Sequence, residues 1–374
     1  MTTAHARLPP SAAARWVECP GSVQLCENEA LPERDDGGEG EEGTAWHWLI
    51  SETLRGRTPL PSATAPNGIL LTPEMHEAAG VVFKAIREPL ASLVVEQRVD
   101  ATSIHKDVWG TCDLHWIDRA ARRITVVDFK YGFGLVEPFR HPQPAIYAIG
   151  ILDGMGEAAD EAWQVDLTII QPRPWHRHGP VRTWHTTSAE LREAARHYRQ
   201  AAEEATGNNP STSAGHQCKH CPARHACPAL RNVVLESLDY LYSTEPAILP
   251  PDALAHELRV LKRAGKLLEA RWSGLEALAA SLIGMEQKIP GWTVETQPGR
   301  EEWTKPAAEI TALGDIYGVK LSKGPALLTP AQARKLGVDV SAYSARKPGT
   351  AKLVEEDMTA VAAVFSGGSH GAPQ

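Results

Sequence analysis

No stretch of this 374-residue chain is apolar for long enough to cross a bilayer, which excludes a membrane-spanning helix. The first residues, Met1-Thr2-Thr3-Ala4-His5-Ala6-Arg7, lack the apolar core of a secretory signal, so a cytoplasmic protein with no membrane partner is expected. Excess basic charge is missing as well: 38 Lys and Arg face 46 Asp and Glu, a net charge of −8. That excludes a protein holding nucleic acid only through a diffuse basic surface. It leaves room for local patches, and Arg173, Arg177, Arg182, Arg192, Arg196 and Arg199 form one stretch of that kind. There is no Walker-type phosphate loop, hence no P-loop motor, and no internal repeat. Cysteine numbers only six, and in a cytoplasmic chain these are not a disulfide framework.

What is present is ordinary globular composition, 43% hydrophobic and 22% charged, in a chain long enough for a large domain plus an extension. We divide it at residue 240: residues 1–240 as the main domain, 241–374 as a helical or mixed extension whose tail, Ser366 to Gln374, reads as disordered. An acidic, Gly-rich stretch over 27–42 reads as a mobile loop. A helix carrying His47 starts near Glu41, and Thr72-Pro73 opens another as N-cap and first helical residue. Strands are expected over 93–99, 108–117, 124–129, 165–170 and 181–186, with the second and third joined as a hairpin. Helices are expected over 141–152, 188–205 and 250–289, the last with apolar spacing at Leu254, Leu258, Leu261, Leu267 and Leu268. This order gives an α/β core with a mixed central sheet flanked by helices.

The chemistry-bearing residues sit on those strands. Asp128 and Lys130 lie two apart on an apolar strand and so share a face. Asp113, after Gly110-Thr111-Cys112, lies on the neighbouring hairpin strand. Two carboxylates there suit Mg²⁺ or Mn²⁺, with His47 able to complete the shell and Lys130 able to orient a water or stabilise charge at phosphorus. Gln143 and Tyr147, four apart on one helical face, can contact a DNA backbone or base. Each has a structural alternative: a surface charge pair, a helix histidine, a core tyrosine, a solvated glutamine. Glu96 reads as an exposed strand residue, with a ligand role as the alternative. Cys112 faces away from the carboxylates, as a core residue.

Cys218-x2-Cys221-x5-Cys227 is metal-ligand spacing, and Cys19-Pro20-Gly21 supplies a fourth thiol in a tight turn, with Cys26 as a substitute. Spacing alone leaves zinc and an iron–sulfur cluster open, and His216, His220 and His225 add possible zinc ligands. Trp16, Trp46 and Trp48 can stack on bases or pack internally. Trp175-His176-Arg177-His178 is a phosphate contact, a DNA wedge or a bare hairpin tip. Arg259, Lys262, Arg263 and Lys266 are a DNA or partner contact, or a wet helix face.

The series His47, Gly110/Asp113, Asp128-x-Lys130, Gln143-x3-Tyr147 resembles the PD-(D/E)XK nucleases of the RecB-like branch. With Cys19, Cys218, Cys221 and Cys227 added, it is similar to the iron–sulfur members, such as CRISPR-adaptation exonucleases and AddB-type recombination nucleases. The nearest resemblance is to a phage and prophage family of this type. It is carried also by the stretch Ser11 to Ser22, by Gln171-Pro172-Arg173 and by Thr329-Pro330-Ala331-Gln332-x2-Lys335. The resemblance implies a restriction-endonuclease-like core closed by a site of four cysteines. It implies His47, Asp113 and Asp128 as Mg²⁺ or Mn²⁺ ligands and Lys130 as the catalytic lysine. Gln143 and Tyr147 would be the DNA-contacting pair, and the four cysteines would hold a 4Fe-4S cluster, with Zn²⁺ as the alternative. The implied function is a metal-dependent DNA exonuclease of phage or mobile-element replication or recombination. Its DNA would have free ends or be single-stranded, and a helicase or recombination protein could partner it. The alternatives are a non-catalytic DNA-binding or assembly protein on a nuclease fold, and a zinc-stabilised structural protein.

Overall fold

A computed structural model describes residues 6–28, 31, 39–156, 162–241, 250–296, 301–323, 326–346 and 351–355. Most of the acidic loop expected over 27–42, and the tail from Ser366 to Gln374, lie outside them. The chain forms two compact units, Met1–Leu275 and Glu276–Gln374, where the sequence reading divides it after residue 240.

The first unit opens with two short helices, α1 (Ala13–Trp16) and α2 (Gly21–Asn28), then α3 (Glu39–Leu54) and α4 (Pro73–Ala85). The Thr72 side chain accepts a hydrogen bond from Met75 N–H, and Pro73 follows it, as the sequence predicts. Five strands come next: β1 (Val94–Asp100), β2 (Trp109–Asp118), β3 (Arg123–Phe129), then, after α5 (Pro142–Met155), β4 (Gln164–Ile170) and β5 (Val181–Thr187). They lie side by side in chain order. β3 and β4 are parallel because α5 carries the chain back between them; the other neighbours are antiparallel. The sheet is therefore mixed, as expected. α6 (Ser188–Thr206) follows directly, with Thr187 and Glu190 forming a reciprocal capping box.

Each face of the sheet buries its own core. Ile124, Val126, Val165 and Leu167 pack with α5 and α6, while Val127, Phe129 and Ile170 pack with α3 and α4. β3 is buried on both sides, which explains why Ile124, Val126, Val127 and Phe129 are apolar on both of its faces. Trp16 and Trp46 are fully buried, one in each core, so for both the packing reading holds.

Two further helices, α7 (Pro228–Leu241) and α8 (Pro251–Gly284), follow the cysteine segment. Of the five leucines that the spacing selects on α8, only Leu267 is buried; Leu254, Leu258, Leu261 and Leu268 are exposed. The inward face is set instead by small residues: a Cβ on Gly274 would stand 2.6 Å from Arg224 Cγ and 2.9 Å from His225 N. The helix lies too close there for a larger side chain.

The second unit holds β6 (Trp292–Thr296), β7 (Glu301–Trp303), α9 (Ala307–Ile316), β8 (Ser322–Lys323), β9 (Ala326–Leu327), α10 (Pro330–Lys335), β10 (Ser344–Arg346) and β11 (Ala351–Glu355). Its core gathers Ile310, Leu313, Leu321, Ala333, Val338 and Val340. Thr329 and Gln332 form a capping box at the start of α10, with Pro330 at the first turn, which gives that motif a structural role. With α8 counted, helix outweighs strand in the described part of 241–374. No helix among the described residues is long and apolar enough to cross a membrane.

Candidate metal site and cysteine cavity

The hairpin register sets Asp113 opposite Asp128, extrapolated from Leu114 facing Val127. Asp113 Oδ2 accepts the Phe129 N–H at 2.7 Å, which pins the carboxylate to β3. His47, from α3, reaches Asp113 Oδ1 with Nδ1 at 3.4 Å and Phe129 O with Nε2 at 3.0 Å. Asp128 is 1% exposed. Its Oδ2 meets Lys130 Nζ at 2.7 Å, whereas Oδ1 finds no donor among the described residues. A buried carboxylate oxygen left without a partner costs free energy that a cation would recover.

Glu96 corrects the sequence reading. It is not an exposed strand residue: His47, Glu96 and Asp113 each offer a ligand atom within 4.8 Å of the others. The register explains why, since Val95 faces Leu114 and Gln97 faces Cys112, leaving Glu96 opposite Asp113. Val95 and Leu114 belong to the α3/α4 core, but Val99 and Cys112 belong to the α5/α6 core. Residues two or four apart on a regular strand share one face, so both strands change face at Glu96 and Asp113. The change coincides with φ +52° at Glu96, a conformation that a non-glycine residue seldom adopts. Asp128 is not one of the three-residue set; it stands beyond, paired with Lys130.

Burial opposes a charged His47 imidazole, but Asp113 outweighs it and pushes the pKa up to about 9. Burial likewise opposes the Asp113 carboxylate, yet His47, Lys130 and the Phe129 N–H hold it below the usual carboxylate range. Glu96 is pushed up to about 7, by burial first and by Asp113 second. Lys130 stays charged: Asp128 and Asp113 outweigh the burial that works against its ammonium. Three carboxylates and two cationic side chains are thus concentrated in one partly buried place, with unused lone pairs.

Lys130 Nζ also donates to Gln143 Oε1 at 3.0 Å. Gln143 and Tyr147 are both buried on α5; Gln143 braces the lysine, and Tyr147 is hydrogen-bonded to Gln143. Gly110 permits this: a Cβ there would lie 3.1 Å from the Tyr147 hydroxyl and 2.9 Å from Pro10 Cδ. Cys112 is wholly buried, on the face predicted for it.

Two residues carry a role that their sequence alone does not reveal. Gln171 is fully buried and fastens the loop after Lys130. Its Nε2 donates to Gly132 O (2.9 Å) and Gly134 O (2.8 Å), and its Oε1 accepts from Val136 N (3.1 Å) and Arg182 (3.0 Å). The Arg173 guanidinium lies 3.7 Å from the Tyr131 ring centroid and pairs with Glu42 (2.8 Å) and Glu74 (3.2 Å). The only sequence hint is a Gln-Pro-Arg at the end of an apolar strand.

Cys19, Cys218, Cys221 and Cys227 line one cavity, together with Arg15, Leu25 and Leu230. Gly21 makes the closure possible. Its N–H donates to Ser211 O at 2.8 Å, and a Cβ there would lie 2.7 Å from the carbonyl oxygens of Pro210 and Ser211. The two segments are so brought together that Ser213 N–H donates to Cys19 Sγ at 3.3 Å. Gly215 N–H donates to Cys218 Sγ at 3.4 Å. A hydrogen bond shared with Cys26, followed by burial, raises the Cys221 thiol far above its ordinary value; burial raises Cys218. Cys26 thus sits beside the cavity lining, with Arg15 donating to its sulfur at 3.4 Å. Among the described residues no three cysteine sulfurs lie within 4.8 Å of one another.

Residues 5–355 match the family described as a protein of unknown function, DUF2800. A solved structure from Eubacterium rectale that carries an exonuclease name matches 65% of this chain and 90% of its own, at 11% identity and TM-score 0.34. A phage-related exonuclease from Haemophilus somnus 129PT matches 54% of this chain and 94% of its own, at 12% identity and TM-score 0.22. Overlaps of that size transfer nothing to the present residues.

Proposed function

The chain belongs to the DUF2800 family, and we propose that this member is a metal-dependent phosphodiesterase acting on DNA as an exonuclease. One observation carries the proposal. His47, Glu96 and Asp113 bring ligand atoms within 4.8 Å of one another, beside a buried Asp128 with an oxygen that no donor satisfies. Oxygen and imidazole donors of this kind suit Mg²⁺ or Mn²⁺.

When bound, such an ion polarises a phosphate oxygen and acidifies a coordinated water. The rest of the work belongs to the chain's own groups. His47, Glu96 and Asp113 would hold the ion, with Asp128 available as a further carboxylate. Lys130, fixed between Asp128 and Gln143, would present a permanent positive charge to the phosphate and stabilise the charge that develops there. Tyr147 and Gln143 would act by holding that ammonium still.

Cys19, Cys218, Cys221 and Cys227 would hold a metal centre that joins the two ends of the nuclease unit. Four thiolates gathered at one cavity suit a 4Fe-4S cluster, with Zn²⁺ as the alternative. The free ends of phage or mobile-element DNA are the substrate we assign.

The test uses metal-stripped protein, Mn²⁺ or Mg²⁺ added back, and end-labelled DNA with one end or the other blocked. Metal-dependent release of short products by the wild type, absent in Lys130→Ala, is expected. DNA binding without any cleavage would make the protein a non-catalytic DNA-binding member on the same fold. Iron content and colour after anaerobic purification decide between cluster and zinc.

A further inference from the structure

The loop that leaves the candidate metal site buries Tyr131 but turns Phe133 and Phe139 outward. It begins after Lys130 and ends at His141, just before Gln143, so both its ends are fixed by residues of the site. Phe133 is 57% exposed, Phe139 64%, and Trp175, on the adjoining β4–β5 hairpin, 87%. Leu135 is exposed among them. Loop tips in water are ordinarily polar, and apolar groups gathered in one place mark a contact surface.

These side chains are not exposed because the loop is loose. Gln171 ties down Gly132, Gly134 and Val136, and Arg182 donates to Val136 O at 2.7 Å. His176, next to Trp175, meets Glu137 at 3.1 Å, which joins the hairpin tip to the loop. Phe139 is held edge-to-face against Trp184, with ring centroids 5.5 Å apart.

The charges of this surface point the same way. Glu137 is matched by His176 and Arg182, and Glu42 and Glu74 by Arg173. Arg140 and Arg177 have no carboxylate partner among the described residues. Arg173, Arg182, Arg140 and Arg177 outnumber Glu42, Glu74 and Glu137 by one, so the rim keeps a positive surplus beside exposed rings, with Arg140 lying over Phe139 and Arg173 over Phe133. That combination fits a polyanion carrying flat rings.

We propose that Phe133, Phe139 and Trp175, with Arg140 and Arg177, form a rim that stacks the unpaired bases of one strand and leads its backbone to the metal site. A duplex hides its base faces within its own stack, so only an unpaired strand or frayed end can use this rim. The rim rests on the phosphodiesterase reading for its purpose, but its ligand can be tested without catalysis.

The experiment is fluorescence anisotropy of the full chain with a labelled oligothymidylate in EDTA, against a blunt duplex of equal length. The strand should bind more tightly than the duplex. Trp175→Ala and Phe139→Ala should each weaken strand binding about tenfold. Arg177→Ala should lower the salt slope by about 0.7. All three should hydrolyse bis(p-nitrophenyl) phosphate with Mn²⁺ at the wild-type rate, since that small ester does not reach the rim. Equal strand binding by wild type and variants overturns the rim, as does a preference for blunt duplex. A wild type that binds the strand through these residues but hydrolyses no ester overturns the phosphodiesterase reading and leaves the rim standing.

Discussion

The candidate metal site and the cysteine cavity are assembled by opposite means. Around Asp113, Asp128 and Lys130, a central sheet and two flanking helices fix each group, and the polar atoms already bond to one another. Around Cys19, Cys218, Cys221 and Cys227, short turns present the sulfurs, and backbone N–H groups are their main partners. The first site would persist without an ion. The second joins segments almost two hundred residues apart and, with the metal centre proposed above, would depend on that centre. A substitution in the first should therefore remove chemistry and spare the fold, and one in the second should do the reverse.

The largest expected effect sharpens that contrast. Asp113→Asn should lower metal-dependent DNA hydrolysis by about a thousandfold while circular dichroism melts stay close to wild type. Cys218→Ser should lower stability by roughly 3 kcal/mol or more, with loss of bound metal, measured by denaturant unfolding and metal content. If Cys218→Ser melts like wild type, the cavity is not a clamp.

A pH experiment separates the sheet from the clamp again. Burial pushes His115 on β2 down to about 4, and its Nδ1 has no partner. Below the ordinary value near 6.5 the unfolded chain takes up a proton that the folded one refuses. The contribution is thus present above pH 6.5 and lost as pH falls towards 4. Between pH 7.5 and 5 the wild type should lose about 2 kcal/mol more than His115→Leu in denaturant unfolding. The smallest effect is Gly21→Ala. Its Cβ would press on the carbonyls of Pro210 and Ser211, costing about 1–3 kcal/mol and loosening metal retention without touching a cysteine.

The two sites differ too in how far the sequence betrays them. The neighbourhood of Asp113, Asp128 and Lys130 was legible because a short hairpin sets residue 113 beside residue 128, with Lys130 just past the strand end. The cysteines were legible because three fall within ten residues. Glu96 was not: its place opposite Asp113 depends on the register of β1 and on a face change at a left-handed backbone, and neither leaves a periodic trace. Gln171 was named as part of a motif, but its three hydrogen bonds to the loop after Lys130 follow only from the parallel pairing of β3 with β4. On α8 the leucine spacing picked out one buried residue, Leu267; the rest of the inward face is marked by Ala270 and Gly274, which carry no hydrophobic-spacing signal.

The central claim is that His47, Glu96 and Asp113 form one divalent-ion site, and equilibrium titration of metal-stripped protein with Mn²⁺, followed by electron paramagnetic resonance, tests it most directly. We expect saturable binding at this site in the wild type, abolished in Glu96→Gln with the fold retained. Undiminished Mn²⁺ binding by Glu96→Gln, or no saturable binding by the wild type, would contradict it.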